Sequence, residues 1–237
     1  GAVCPPVAIC AKGSEQGSVA VMTEVLDEVL PGRRLAVLSG PTFAAEVARG
    51  LPTAVTLAAA DEGLAARLVT ALGSSSFRPY FSGDPLGAQL GGAVKNVAAI
   101  ACGVIAGREM GDNARAALIT RALAETMRLG TALGAKRETL VGLSGLGDLT
   151  LTCTSTLSRN YTLGRALGEG QSLQTIMDGR RSVAEGVFTA SAAMDLARRH
   201  GVAMPIAQAV DAILNHDAAI DDAIKGLLAR PFTAETF

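Results

Sequence analysis

The sequence predicts an α/β region followed by an all-α region, and three observations carry that expectation. Over residues 1–84 short β-rich runs alternate with helical stretches, the pattern of βα units around a parallel sheet. Beyond Asp84-Pro85 helical periodicity takes over and β-branched runs almost vanish. The chain has 237 residues, 49% of them hydrophobic, enough for a sizeable core in one large or two modest domains.

In order along the chain, 7–11 is a candidate strand and 18–30 a helix ended by Pro31-Gly32. A second strand over 35–38 leads through Ser39-Gly-Pro-Thr42 into a short helix to residue 49. Residues 53–57 read as a third strand, 62–72 as a helix and 77–81 as a last strand, together part of a doubly wound sheet. The helical region should contain helices at about 86–106, 112–134, 159–168, 183–200, 204–215 and 219–229. The expected division is therefore 1–84, a partial dinucleotide-binding sheet, and 85–237, a helical domain. A dinucleotide-binding sheet opens with a strand, a G-x-G-x-x-G/A turn and a helix. That fingerprint is absent, so the first mononucleotide-binding half is expected to be missing and the open sheet edge to favour association.

Composition excludes several classes. With 21 basic and 22 acidic residues the net charge is -1, without the basic surface that nucleic acid requires. Cys4, Cys10, Cys102 and Cys153 show no zinc or redox spacing and read as small buried apolar residues in a reducing compartment. Residues 86–106 match a membrane span in length, but Gln89, Lys95 and Asn96 lie inside it and no aromatic belt flanks it. A buried helix is the better reading, and with no signal-peptide pattern at Gly1-Ala-Val-Cys the expected location is the cytoplasm. His200 and His216 lack any nucleophile or metal-ligand partner at useful spacing, so no metal site is expected. Asp221-Asp222 reads as a solvated face, and the Met and aromatic residues as core.

The chemistry concentrates in a few residues. Lys95 sits mid-helix among Leu90, Val94, Val97, Ala98 and Ala101, where desolvation lowers an ammonium pKa and makes a proton donor to a carbonyl oxygen. The alternative, a stem along the helix with its head snorkelling to water, is the weaker reading. Asp148 follows the Ser144-Gly-Leu-Gly loop and reads equally as a helix N-cap or as the partner of Lys95. Ser158-Arg159-Asn160 opens a helix, where free N–H groups, the dipole and an arginine fork could make a phosphate seat, but taken alone ordinary capping by Ser158 with Arg159 facing solvent is the stronger reading. Lys12-Gly13 and Gly40-Pro41-Thr42-Phe43-Ala44 follow neighbouring strands, at the ends where open α/β sheets bind ligands.

Eight strings resemble one family. They are Leu38-Ser-Gly-Pro-Thr-Phe-Ala-Ala-Glu46, Gly91-Gly-Ala-Val-Lys-Asn-Val97, Gly111-Asp-Asn-Ala114, Leu118-Ile-Thr-Arg121, Gly145-Leu-Gly-Asp-Leu149, Leu151-Thr-Cys-Thr154, Ser158-Arg-Asn160 and Val183-Ala-Glu-Gly186. In this order they resemble the bacterial-type NAD(P)-dependent glycerol-3-phosphate dehydrogenases. The resemblance implies a Rossmann-like sheet followed by a helical domain like the C-terminal domain of 6-phosphogluconate dehydrogenase. It implies NAD(P)H as cofactor and reversible reduction of dihydroxyacetone phosphate to sn-glycerol 3-phosphate for glycerophospholipid synthesis. Lys95 would then be the proton-transfer residue, with Asp148 beside it. Lys12, Gly40, Thr42, Lys95, Asp148, Ser158, Arg159 and Asn160 would contact substrate, the last two at its phosphate; Lys12, Ala44, Arg159, Val183 and Glu185 would contact cofactor. The expected partner is thus a small molecule, with a homodimer as the assembly. The rival reading is a non-catalytic remnant that binds a phosphorylated three-carbon ligand or a partner.

Overall fold

The computed structural model describes residues 4–15, 17–178, 185–232 and 234–235. Strands β1 (Val7–Ile9), β2 (Leu35–Ser39), β3 (Thr53–Ala58) and β4 (Phe77–Ser82) form one sheet in that order. Helices α1 (Met22–Val29) and α3 (Glu62–Leu72) cover its two faces, and α2 (Ala44–Ala48) follows β2. One face buries Ala36, Leu57 and Ala59 under Leu64 and Ala65 of α3. The other buries Ile9, Val37 and Ala58 against Ala88, with Met22 and Leu26 of α1 packed alongside. Pro79, which has no N–H for a ladder, lies in the outer strand β4.

The α/β fold class stands, with one departure from an all-parallel sheet. β1 and β2 are parallel, as are β3 and β4, but β2 and β3 are antiparallel, with Leu38 opposite Leu57. The link between β2 and β3 explains the reversal. A parallel crossover needs a helix packed on the sheet, whereas α2 has five residues and buries none of them. The expected helix over 18–30 starts only at Met22, because Val19 takes a left-handed φ of 65 and Val21 bridges Ser14.

The helical region comprises α4 (Pro85–Gly107), α5 (Gly111–Ala132), α6 (Arg137–Leu140), a π turn (Leu143–Gly147), α7 (Asp148–Thr154), α8 (Arg159–Gly168), α9 (Leu173–Asp178), α10 (Glu185–Arg199), α11 (Pro205–Asn215) and α12 (Ile220–Leu228). The expected start of α10 at Val183 lies outside the described residues. Everything is arranged around α4. Asp84 caps it, its carboxylate accepting from Gly87 N–H at 2.9 Å, with Pro85 in the first turn. The helix is long and apolar enough to cross a membrane, yet 83% of that window is buried inside the protein. Its residues 87–105 are buried, enclosed by α5, α7, α8, α10 and the sheet.

α4 and α8 approach closely because glycine faces backbone on both sides. A Cβ on Gly164 would collide with the Ile100 carbonyl oxygen, and one on Gly103 with the Tyr161 carbonyl oxygen. At the other end of the core, the buried Glu125 of α5 accepts from Ile206 N–H at 2.7 Å and Ala207 N–H at 3.2 Å, satisfying the first turn of α11. Burial of its carboxyl raises the pKa to about 7 against these two hydrogen bonds.

Some compositional expectations fail. Cys102 and Cys153 are buried, but Cys4 and Cys10 are exposed, since β1 is an outer strand. Tyr161 is core, whereas Tyr80, Phe81, Phe188 and Phe232 are exposed. Gly164→Ala should lower stability by about 1–3 kcal/mol, the usual cost of overpacking, while Gly226→Ala, in open space on α12, should raise it by roughly 0.5–1 kcal/mol. Urea unfolding monitored by circular dichroism reads both.

Candidate active site

The ends of β1 and β2 meet the middle of α4 at a cluster of charged side chains. Lys12, just past β1, donates to the Gly40 carbonyl at 2.9 Å, to Thr42 Oγ1 at 3.4 Å and to Asp148 Oδ2 at 2.7 Å. Lys95, from α4, donates to Asp148 Oδ1 at 2.6 Å and to Thr152 Oγ1 at 2.9 Å. One carboxylate therefore bridges two ammonium groups, one on each oxygen. Asp148 is fully buried, and the Lys12 and Lys95 side chains are only 17% and 8% exposed.

Local backbone features put these groups in place. Gly40 has φ of 146, where a side chain is strained, and a Cβ there would stand 3.0 Å from Val55 Cα. This turns its carbonyl toward Lys12. The π turn before α7 is closed by Gly147 N–H to the Gly142 carbonyl at 3.1 Å, a wide turn of the kind found at functional sites. A Cβ on Gly91 would come within 2.5 Å of the Ser144 carbonyl oxygen, so α4 lies against this turn and Asp148 opens α7 beside Lys95. The open choice for Asp148 falls to pairing: its carboxylate makes no capping bond in α7. The snorkelling alternative for Lys95 falls too, since its ammonium is held inside.

Thr152 is a member of the cluster that sequence reasoning missed. It accepts from Lys95 and donates to the Asp148 backbone carbonyl at 2.7 Å. The signal was available: Thr152 lies four residues after Asp148, on the same helical face. Two more buried polar atoms, Ser39 Oγ and Asn96 Nδ2, have no hydrogen-bond partner among the described residues. Such atoms are costly to bury unpaired, which fits a surface completed by a ligand.

The Lys95 ammonium is depressed to about 8. Desolvation is the largest cause, partly offset by the Asp148 charge, and the nearby Lys12 charge lowers it further. The three charges sum to +1, which suits an anionic ligand. The neighbouring Cys153 thiol is held well above its ordinary value by its hydrogen bond with Cys102 and by burial, so it stays protonated.

The remaining candidates sit at the starts of helices. Ser158 caps α8, its hydroxyl accepting from Tyr161 N–H at 3.2 Å. Arg159 opens α8 and is exposed, and the buried Asn160 accepts Gly186 N–H at 3.1 Å, tying α8 to α10. Ala44 opens α2 and Glu185 opens α10, while Val183 lies outside the described residues. Among the described residues no group of His, Cys, Asp and Glu could hold a metal ion. A cavity of about 960 Å³ opens elsewhere, between α4, α5, α11 and α12; none of Lys12, Lys95 or Asp148 lines it.

A four-stranded α/β sheet whose strand ends meet a glycine-rich helical core at a buried lysine and aspartate fits a nicotinamide-dependent dehydrogenase. Residues 84–225 match the family described as NAD-dependent glycerol-3-phosphate dehydrogenase C-terminus, and residues 4–65 the corresponding N-terminus family. The chain is 60% identical over 231 residues to glycerol-3-phosphate dehydrogenase (NAD(P)+) of Parvibaculum lavamentivorans, covering 98% of this chain and 69% of that protein. To the protein of the same name from Rhodospirillum rubrum it is 62% identical over 230 residues, with 97% and 66% covered. The crystal structure of glycerol-3-phosphate dehydrogenase from Coxiella burnetii superposes with a TM-score of 0.91 at 41% identity, over 95% of this chain and 69% of that one. The chain belongs to the NAD-dependent glycerol-3-phosphate dehydrogenase family.

Removing the bridging carboxylate should leave two buried ammonium groups uncompensated. Asp148→Ala is expected to cost about 3–5 kcal/mol in urea unfolding at pH 7, and Lys12→Ala less, since Lys12 is the more exposed partner.

Proposed function

We propose that this chain carries the substrate-positioning and proton-transfer machinery for reversible reduction of dihydroxyacetone phosphate to sn-glycerol 3-phosphate. The observation that carries the reading is the Lys95–Asp148–Lys12 bridge at the strand ends. The bound nicotinamide cofactor supplies or accepts the hydride. Lys12, just past β1, and Ala44, Arg159 and Glu185, at the starts of α2, α8 and α10, are the residues proposed to contact it, with Val183. The pyrophosphate fingerprint is not in this sequence.

In reduction, the substrate carbonyl oxygen faces the Lys95 ammonium. Lys95 gives its proton to that oxygen as the carbon gains hydride; in oxidation neutral Lys95 takes the hydroxyl proton back. Asp148 and Thr152 hold the ammonium in one orientation, which limits the reorganisation needed as charge develops. Lys12 adds positive charge and, with Gly40 and Thr42, borders the substrate. Ser158, Arg159 and Asn160 seat the phosphate at the α8 N-terminus, where the helix dipole and free N–H groups favour an anion. A pKa near 8 puts the titration of Lys95 close to working pH, where proton transfer is most effective.

The proposal includes a division at residue 84, supported by the change from β4 to α4 there. It also places the protein in the cytoplasm, supplying glycerophospholipid synthesis. A homodimer is the proposed assembly, supported by the exposed Leu228 and Phe232; light scattering that reads a monomer at working concentration overturns it.

Lys95→Ala in the complete gene product should reduce turnover by roughly 10²–10⁴-fold, with unchanged circular dichroism. Near-normal turnover removes Lys95 from the chemistry. The pH dependence has opposite signs in the two directions. Below the Lys95 pKa of about 8 the donor is protonated, so reductive kcat/KM should fall as pH rises through that value while oxidative kcat/KM rises.

A further inference from the structure

The two unpartnered buried polar atoms near the cluster, Ser39 Oγ and Asn96 Nδ2, belong to one line of residues. On the inner face of β2, Val37 packs with Ala88 of α4. Two residues on, a Cβ at Gly92 would stand 2.9 Å from Ser39 Oγ. Strand and helix thus run alongside each other, two strand residues for every four in the helix. Asn96 comes one turn after Gly92 on the same face. Helical side chains lean toward the N-terminus, which carries its amide back over the Gly92 turn. The missing Cβ of Gly92 leaves room beside Ser39 that the stem of Lys12 crosses.

The same face of α4 continues to the phosphate seat. A Cβ on Gly186 would stand 2.7 Å from both Asn160 Oδ1 and Ile100 Cδ1, so the start of α8 sits at the level of Ile100. One helix therefore presents three successive levels, Gly92 with Ser39, then Lys95 and Asn96, then Ile100 with Asn160, each about 6 Å from the next at 1.5 Å rise per residue. A ketose phosphate with its phosphate at the last level and its carbonyl at the middle one turns its remaining end toward the first.

We propose that Ser39 is a specificity-determining residue whose hydroxyl binds the free hydroxymethyl group of the substrate. The inference rests on the reading that the chain reduces dihydroxyacetone phosphate. A serine hydroxyl both donates and accepts, which suits an alcohol partner. The side chain lying across the spot is Lys12, whose Cγ and Cδ come 3.4 and 3.6 Å from the same Gly92 position. Lys12 remains partly exposed, and its apolar stem, not its bonded ammonium, lies beside Ser39.

The test compares two substrates on the complete enzyme, dihydroxyacetone phosphate and hydroxyacetone phosphate, which lacks only the hydroxyl in question. Wild-type enzyme should prefer the former in kcat/KM, and Ser39→Ala should erase about tenfold or more of that preference, the scale expected when a buried hydrogen bond to substrate is lost. The KM for nicotinamide cofactor should not move, and the unfolding midpoint should not fall, since the hydroxyl has no partner to lose. Ser39→Cys, close in size but a weaker donor, should give a partial loss and carries the same comparison if the alanine variant folds poorly. An unchanged preference in a folded variant, or a raised cofactor KM with both substrates slowed alike, overturns the assignment of Ser39. Absence of wild-type turnover on dihydroxyacetone phosphate overturns the underlying reading instead.

Discussion

Asp148 pairs at once with two ammonium groups that arrive from distant parts of the chain, Lys12 from the end of β1 and Lys95 from the middle of α4. Neither lysine is stable in so dry a place alone, and the carboxylate is no better off without them. Their mutual dependence joins the sheet to the helical core electrostatically at the point where the chemistry is proposed. The surrounding backbone serves that junction. Gly91 lets α4 lie against the π turn, the π turn delivers Asp148, and Gly40 turns its carbonyl to the second lysine.

Buried charge of this kind has an energetic cost that the core must offset. α4 contributes most of that core, with Leu90, Val94, Val97, Ile100 and Val104 packed among α5, α7, α8 and α10. Apolar burial on this scale is the dominant favourable term in folding. Here the same helix bears the cost and the compensation. Changes elsewhere on α4 therefore reach Lys95 through the rigidity of a single element.

Much of this was legible beforehand because the relevant signals are local. Strand and helix periodicities located β1 to β4 and the long helices, and an uncharged stretch broken by a single lysine marked Lys95. What escaped was decided by contacts between distant segments. The reversal between β2 and β3 depends on a five-residue helix failing to cover the sheet, which a βα pattern does not reveal. The short helices α6, α7 and α9 and the π turn lack enough residues to show a period. Asp148 stood balanced between capping and pairing because only the approach of α4 at Gly91 decides it. Thr152 was hidden among neighbouring threonines, with nothing local to single it out except its spacing from Asp148.

The glycine contacts between α4 and α8 do more than save space. Where Gly103 and Gly164 press backbone on backbone, no flexible side chain intervenes to stretch or compress. Backbones held in direct contact cannot slide without breaking their packing, so the distance from Lys95 to the first turn of α8 is set by the helices themselves. Under the proposed function that distance is a ruler between carbonyl and phosphate. A substrate one carbon longer or shorter would have to misplace one of its two ends, and selectivity for chain length would then reside in residues that never touch the substrate.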